Sequence, residues 1–153
     1  MKKVQLFTDG ACRGNPGPGG YGCILRYGIH EKELSGGEAV TTNNRMELLA
    51  AITGLSALKE PCEVELYSDS QYLVNAFLQG WLENWKKKNF KKGTRDEVKN
   101  IDLWEELSRL TEIHSVSFIW VKGHDGHPEN ERCDALATAA ADAFREESAE
   151  APF

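Results

Sequence analysis

Apolar and polar positions follow two rhythms along this chain. Lys3 to Thr8 is a short run rich in β-branched and aromatic residues that closes on Asp9-Gly10, which predicts a strand ended by a turn-forming pair. Gly10 to Gly20 is so dense in Gly and Pro that it predicts a tight loop, and no Gly-Lys-Ser/Thr follows to make it a phosphate-binding P-loop. Two more short runs, Tyr21 to Tyr27 and Glu31 to Gly36, turn near Gly28 and suggest an antiparallel meander with the first. From Met46 to Leu58 the pattern turns helical and is apolar on nearly every face, with Glu47 as its only charge. Such a helix is a buried one.

Pro61 ends that helix, and Val64 to Ser68 reads as a strand that again closes on an acid, Asp69. A connection of this length is a crossover, which makes the first strand and the Val64 strand parallel neighbours. Asp9 and Asp69 then emerge at one edge, where ligands bind in open α/β sheets. Ser70 to Leu78 predicts a short helix, Asn100 to Leu110 an amphipathic one, and Val116 to Val121 a strand that gives way to the loop Lys122 to His127. Pro128 suits the first turn of a last helix, whose buried stripe is Cys133, Leu136, Ala137, Ala140 and Phe144. The expected whole is one α/β domain over residues 1–145, with 146–153 a disordered acidic tail.

At 153 residues, 41% apolar and 27% charged, the composition excludes a disordered chain. No stretch approaches the roughly 20 apolar residues of a membrane span, and the run after Met1-Lys2-Lys3 is too short for a secretion signal. The expectation is a cytoplasmic protein with no membrane partner. Cys12, Cys23, Cys62 and Cys133 form no Cys-x-x-Cys pair and read as reduced thiols.

The net charge of -6 argues against a nucleic-acid partner until its distribution is considered. Lys86, Lys87, Lys88, Lys91, Lys92 and Arg95 follow one another with no acid between them; taking these six from 18 basic residues leaves 12 against 24 acidic ones. An acidic body thus carries one basic arm, at about 81–95. Trp81, Trp85 and Phe90 are interleaved with these cations, and aromatics on a positive ridge suit a phosphate-sugar backbone. Such contacts position a duplex without reading its sequence.

Asp9, Glu47, Asp69 and Asp134 each have an ordinary explanation: turn, helix cap from Asn44, helix cap, and helix surface. Together they fall where apolar elements end or at the border of a buried stripe, which also fits one carboxylate cluster. Two unit charges ~4 Å apart repel by about 4 kcal/mol at an effective dielectric of 20, so such a cluster implies bound cations. All-oxygen ligands suit Mg²⁺ or Mn²⁺ and not zinc. Two such ions can clamp the attacking and leaving oxygens of a phosphodiester. His124 is either plain surface or an imidazole that moves a proton beside that centre, and His127 reads as a cap.

The words Phe7-Thr8-Asp9-Gly10, Gly14 to Gly22, Thr41 to Leu48, Ser68-Asp69-Ser70-Gln71-Tyr72 and Trp120-Val121-Lys122-Gly123-His124 through Asp134 resemble, in order, the bacterial ribonuclease HI family. The resemblance runs from Val4 through Ala141. It implies a ribonuclease H-like fold, with a five-stranded mixed sheet flanked by helices, and cleavage of the RNA strand of an RNA/DNA hybrid using Mg²⁺ or Mn²⁺. It also implies metal ligation by Asp9, Glu47, Asp69 and Asp134, with His124 assisting. Cys12, Asn15, Asn43, Asn44 and Gln71 would meet the minor groove, where 2′-hydroxyls distinguish RNA. Thr42 and Asn100 would hold a DNA phosphate, and Trp81, Trp85, Lys86, Lys87 and Lys88 would form the basic protrusion; nothing in the sequence suggests more than a monomer. Two departures stand out: Phe90 where a tryptophan is familiar, and Asp125 where a small residue is. Competing readings are another metal nuclease on the same fold and a hybrid-binding module without catalysis. Against the first, Asp9 is followed by Gly10-Ala11 and not by the Asp-x-Glu of proofreading exonucleases.

Overall fold

The computed structural model describes residues 1–89, 99–123 and 127–150, with 145–150 described by backbone alone. Among the described residues, five strands and five helices follow in the order β1 (Lys2–Cys12), β2 (Gly17–Tyr27), β3 (His30–Thr41), α1 (Asn43–Ser56), β4 (Cys62–Ser68), α2 (Gln71–Leu78), α3 (Trp81–Lys87), α4 (Ile101–Ile113), β5 (Ser115–Trp120) and α5 (Pro128–Glu150). The sheet order is β3-β2-β1-β4-β5. β1, β2 and β3 form the antiparallel meander, while β4 lies parallel to β1 and β5 parallel to β4. Phe7 pairs with Tyr67 in the parallel register, so Asp9 and Asp69, each two residues further on, lie at the same end of the β1–β4 pair.

Alternation along β1 assigns its two faces. Leu6 is fully buried in the larger core with Leu48, Ala51 and Leu55 of α1 and with Trp104 and Leu107 of α4. Phe7 packs in the opposite direction with Ile24, Cys133 and Leu136, under α5. α1 buries Met46, Leu48, Ala50, Ala51 and Leu55 because it is sandwiched between the sheet and α4, as its all-round apolar pattern requires.

The Gly-rich stretch departs from expectation. β1 continues through Asp9-Gly10 to Cys12 and β2 starts at Gly17, so only Arg13 to Pro16 form the loop. The glycines are strand residues because helices press on them. A Cβ on Gly20 would lie 2.2 Å from Ala137 O, and one on Gly22 2.7 Å from Cys133 O. Close backbone approach, not turn formation, requires Gly there.

Two caps also move. Thr42, and not Asn44, caps α1 by accepting from Arg45 N at 3.2 Å, and Ser70, and not Asp69, caps α2 by accepting from Leu73 N at 3.1 Å. The expectation for His127 holds, since its Nδ1 accepts from Asn130 N at 3.3 Å at the start of α5. That helix runs to Glu150, past the point where the sequence pattern fades. The four cysteines are free thiols. No helix among the described residues is long and apolar enough to cross a membrane.

Candidate active site

Three of the four acids converge. Asp9 from β1, Glu47 from α1 and Asp69 from the end of β4 each present an oxygen within 4.8 Å of the others. Gly10 makes this possible: a Cβ on it would lie 2.6 Å from Glu47 N and 2.7 Å from Met46 C, so only Gly lets the first turns of α1 settle against β1. The side chains that cap α1 and α2 are those of Thr42 and Ser70. The fourth acid, Asp134 on α5, bonds to Asp9 and acts electrostatically on it, but lies outside the tight trio.

This packing is electrostatically costly. At 4.8 Å two carboxylates repel by about 3 kcal/mol at an effective dielectric of 20. Burial first, then the charges of Asp69 and Asp134, push the Asp9 carboxyl up to about 8. Burial, Asp9 and Asp69 raise the Glu47 carboxyl well above the usual carboxylate range. Glu47 is 4% exposed, and its Oε2 is buried without a hydrogen-bond partner. An orphaned buried oxygen beside two further carboxylates fits a hard divalent cation, whose charge would relieve both the repulsion and the missing bond.

The loop after β5 runs past this centre. Val121 N donates to Ser68 O at 2.9 Å, Trp120 Nε1 donates to Asp69 O at 3.2 Å, and a Cβ on Gly123 would lie 2.8 Å from Asp69 Oδ2. His124 and Asp125 follow Gly123 but lie outside the described residues, as do Phe90, Lys91, Lys92 and Arg95.

A cleft of about 560 Å³ is lined by Asn15, Thr42, Asn44, Tyr72, Trp85, Lys99 and Asn100. It thus joins five of the residues expected to touch substrate. Asn15 Oδ1 accepts from Asn43 N at 3.0 Å, tying the β1–β2 loop to α1. Cys12 Sγ lies 2.8 Å from Gly14 O in the same loop, so it braces that loop. Gln71 is exposed in the first turn of α2. Tyr72 was not singled out by the sequence: its hydroxyl accepts from Asn100 Nδ2 at 3.3 Å and Trp104 Nε1 at 3.1 Å, which leaves its own proton for another acceptor. A tyrosine between Gln71 and an apolar helix carried no signal for this.

The arm divides in two. Trp85 packs on Trp104 with ring centroids 5.3 Å apart and belongs partly to the core, whereas Trp81 is exposed. Lys86 lies 3.6 Å from Glu83 and 3.9 Å from Glu112, while Lys87 and Lys88 are exposed at the end of α3.

A mixed sheet with clustered carboxylates at the end shared by two parallel strands, beside a polar cleft, is an arrangement suited to cation-dependent chemistry on a polar substrate. The RNase H family model matches residues 1–142. A protein named Ribonuclease H from Acetivibrio thermocellus is 64% identical over 138 residues, covering 90% of this chain and 94% of its own. One from Erythrobacter litoralis is 61% identical over 142 residues, covering 93% and 98%. Among solved structures, a type 1 RNase H with the type 2 active-site motif matches with a TM-score of 0.82 at 28% identity, over 94% of this chain and 74% of its own. The chain belongs to the RNase H family, a metal-dependent family, and family and fold together make it a ribonuclease acting on the RNA strand of RNA/DNA hybrids.

Proposed function

We propose that this chain hydrolyses internal RNA phosphodiesters of the hybrid by a two-metal-ion route that leaves 3′-hydroxyl and 5′-phosphate ends. The observation that carries the reading is the trio Asp9, Glu47 and Asp69 within 4.8 Å, with the orphaned Glu47 Oε2 inside it. Asp9, Glu47, Asp69 and Asp134 would hold a pair of Mg²⁺ ions, or Mn²⁺ in their place, and the chemistry such a pair would supply is activation of a water and stabilisation of the departing 3′ oxygen. Glu47, rigid in its buried helix, fixes one corner of the centre and Asp9 the opposite one. Asp69 closes the third side on a backbone carbonyl steadied by Trp120. His124 takes the role of moving a proton at the scissile phosphate, supported by the loop origin beside Asp69.

Substrate is held by the chain's polar groups. Thr42 and Asn100 take a phosphate of the DNA strand at the cleft, and Cys12, Asn15, Asn43, Asn44 and Gln71 meet the minor groove and its 2′-hydroxyls. Trp81, Trp85 and Lys86 to Lys88 receive the backbone beyond, offsetting the acidic body. In this reading residues 1–145 act as a single domain, in the cytoplasm, as a monomer. A binding module without catalysis would have no use for three mutually repelling carboxylates, two of them buried.

The test is a hybrid labelled on either strand, incubated with Mg²⁺ or with EDTA. Shortening of the RNA label alone, only with Mg²⁺, and yielding 3′ ends that a polymerase extends, is the expected result. Cutting of the DNA strand, cutting in EDTA, or 3′-phosphate ends would overturn the route.

A further inference from the structure

Thr42 and Asn100 flank the 560 Å³ cleft from the N-terminal ends of α1 and α4, and one side chain joins those two ends. Arg45, in the first turn of α1, donates from Nη1 and Nη2 to the two carboxylate oxygens of Asp102, in the first turn of α4, at 3.2 and 2.9 Å. Its Nε donates to Glu38 Oε1 at 3.1 Å, near the end of β3, and the same oxygen accepts from Thr41 Oγ1 at 2.9 Å. All three guanidinium nitrogens are therefore engaged by carboxylates. A forked pair fixes direction as well as distance.

The pair is one short step from each cleft residue. Thr42 Oγ1 accepts from Arg45 N at 3.2 Å, and Asn100 precedes Asp102 by two residues. Among the described residues, the other side-chain hydrogen bonds at this end of α4, from Asn100 Nδ2 and Trp104 Nε1 to the Tyr72 hydroxyl, run to α2. Asp102 stands in the first turn of α4, where an acid suits the helix N-terminus, but its side chain is 63% exposed and two residues from Asn100, which lines the cleft. Its carboxyl is held below the usual range, by Arg45 before any other group.

We infer that Arg45 and Asp102 are positioning residues for hybrid binding, a strut that sets the separation of Thr42 and Asn100 and hence the width at which the cleft accepts the DNA-strand backbone. This rests on the hybrid reading above. The strut touches no reacting atom, so it acts on binding and not on the chemical step.

The sign of one substitution tests this. Removing an exposed negative charge next to a polyanion tightens binding if electrostatics alone operates; removing one end of a strut weakens it. Hybrid affinity is measured by fluorescence anisotropy in EDTA, and KM and kcat separately with Mg²⁺, for Asp102→Asn, Arg45→Met, the double variant and Asp102→Glu. Asp102→Asn should raise Kd and KM about fivefold with kcat within about twofold, the double should be no worse than Arg45→Met alone, and Asp102→Glu should recover most of the loss. Thermal unfolding of each variant checks the fold, and Asp102→Asn, at an exposed position, carries the test if Arg45→Met does not fold. Tighter or unchanged binding by Asp102→Asn, or additive effects in the double, would overturn the strut while leaving the function reading intact. A wild-type protein that binds no hybrid would overturn both.

Discussion

Replacing Asp9 by Asn should make the metal-free protein more stable, by an amount that grows with pH. Asp9 is buried, and its carboxyl is raised from 3.8 to about 8 by burial, then by Asp69 and Asp134. Between those two values the folded chain keeps a proton that the unfolded chain has released, so wild-type stability falls as pH rises through that window and levels off above about pH 8. At pH 7 roughly three pH units separate the solution from the unfolded value, which at 1.36 kcal/mol per unit sets a ceiling of about 4 kcal/mol. Water entry and relaxation around the acids bring the expected gain to about 1–3 kcal/mol. Asn keeps an oxygen for the Gly10 N–H, which donates to Asp9 Oδ1 at 3.0 Å, and removes only the charge. Urea unfolding in EDTA at pH 5, 6.5 and 8 reads the effect, and a gain of 1 kcal/mol corresponds to roughly 2–4 °C in Tm for a chain of this size. Saturating Mg²⁺ should narrow the gap by stabilising the wild type alone. A variant less stable than wild type at pH 8, or a difference that shrinks as pH rises, would refute the claim that these carboxylates are held together against their repulsion.

Three further outcomes follow from the packing. Gly10→Ala drives a Cβ into the backbone at Met46 and Glu47; it should destabilise by more than about 2 kcal/mol in chemical unfolding and weaken Mg²⁺ binding measured by calorimetry. Trp85→Ala should lower stability by about 1–3 kcal/mol by removing the ring packed on Trp104, whereas Trp81→Ala, at an exposed site, should leave unfolding within about 0.5 kcal/mol and weaken hybrid binding only. Neutralising Lys87 and Lys88 should reduce the slope of log Kd against log salt by about 1 for each phosphate that is no longer neutralised, with a smaller change for Lys86, which is near Glu83 and Glu112.

Much of this architecture can be read from local pattern, and its departures share one cause. The parallel pairing of β1 and β4, and so the meeting of Asp9 with Asp69, follows from two apolar runs that close on acids and from the length of chain between them. The glycines around Gly20 look like loop from sequence alone because what keeps them in strands is α5, more than a hundred residues away. Gly10 misleads for the same reason, reading as half of a turn while serving as the gap through which α1 approaches β1. Cap positions shift by one or two residues where several capping residues stand in a row, as in Thr42-Asn43-Asn44 and Asp69-Ser70, since each can accept the same N–H. Trp85 reads as an arm residue because its partner, Trp104, is remote in sequence. Arg45 carries no local signal, because its value lies in Asp102 on a different helix.

Whether the clustered acids hold the ions that cut RNA is decided by single-turnover cleavage of an RNA-labelled hybrid by Asp9→Asn at saturating substrate, with Mg²⁺ titrated. The variant should bind hybrid within about a fewfold of wild type and show no cleavage at any Mg²⁺ concentration. Cleavage by Asp9→Asn at the wild-type rate and with the wild-type Mg²⁺ dependence would contradict that role for the acids.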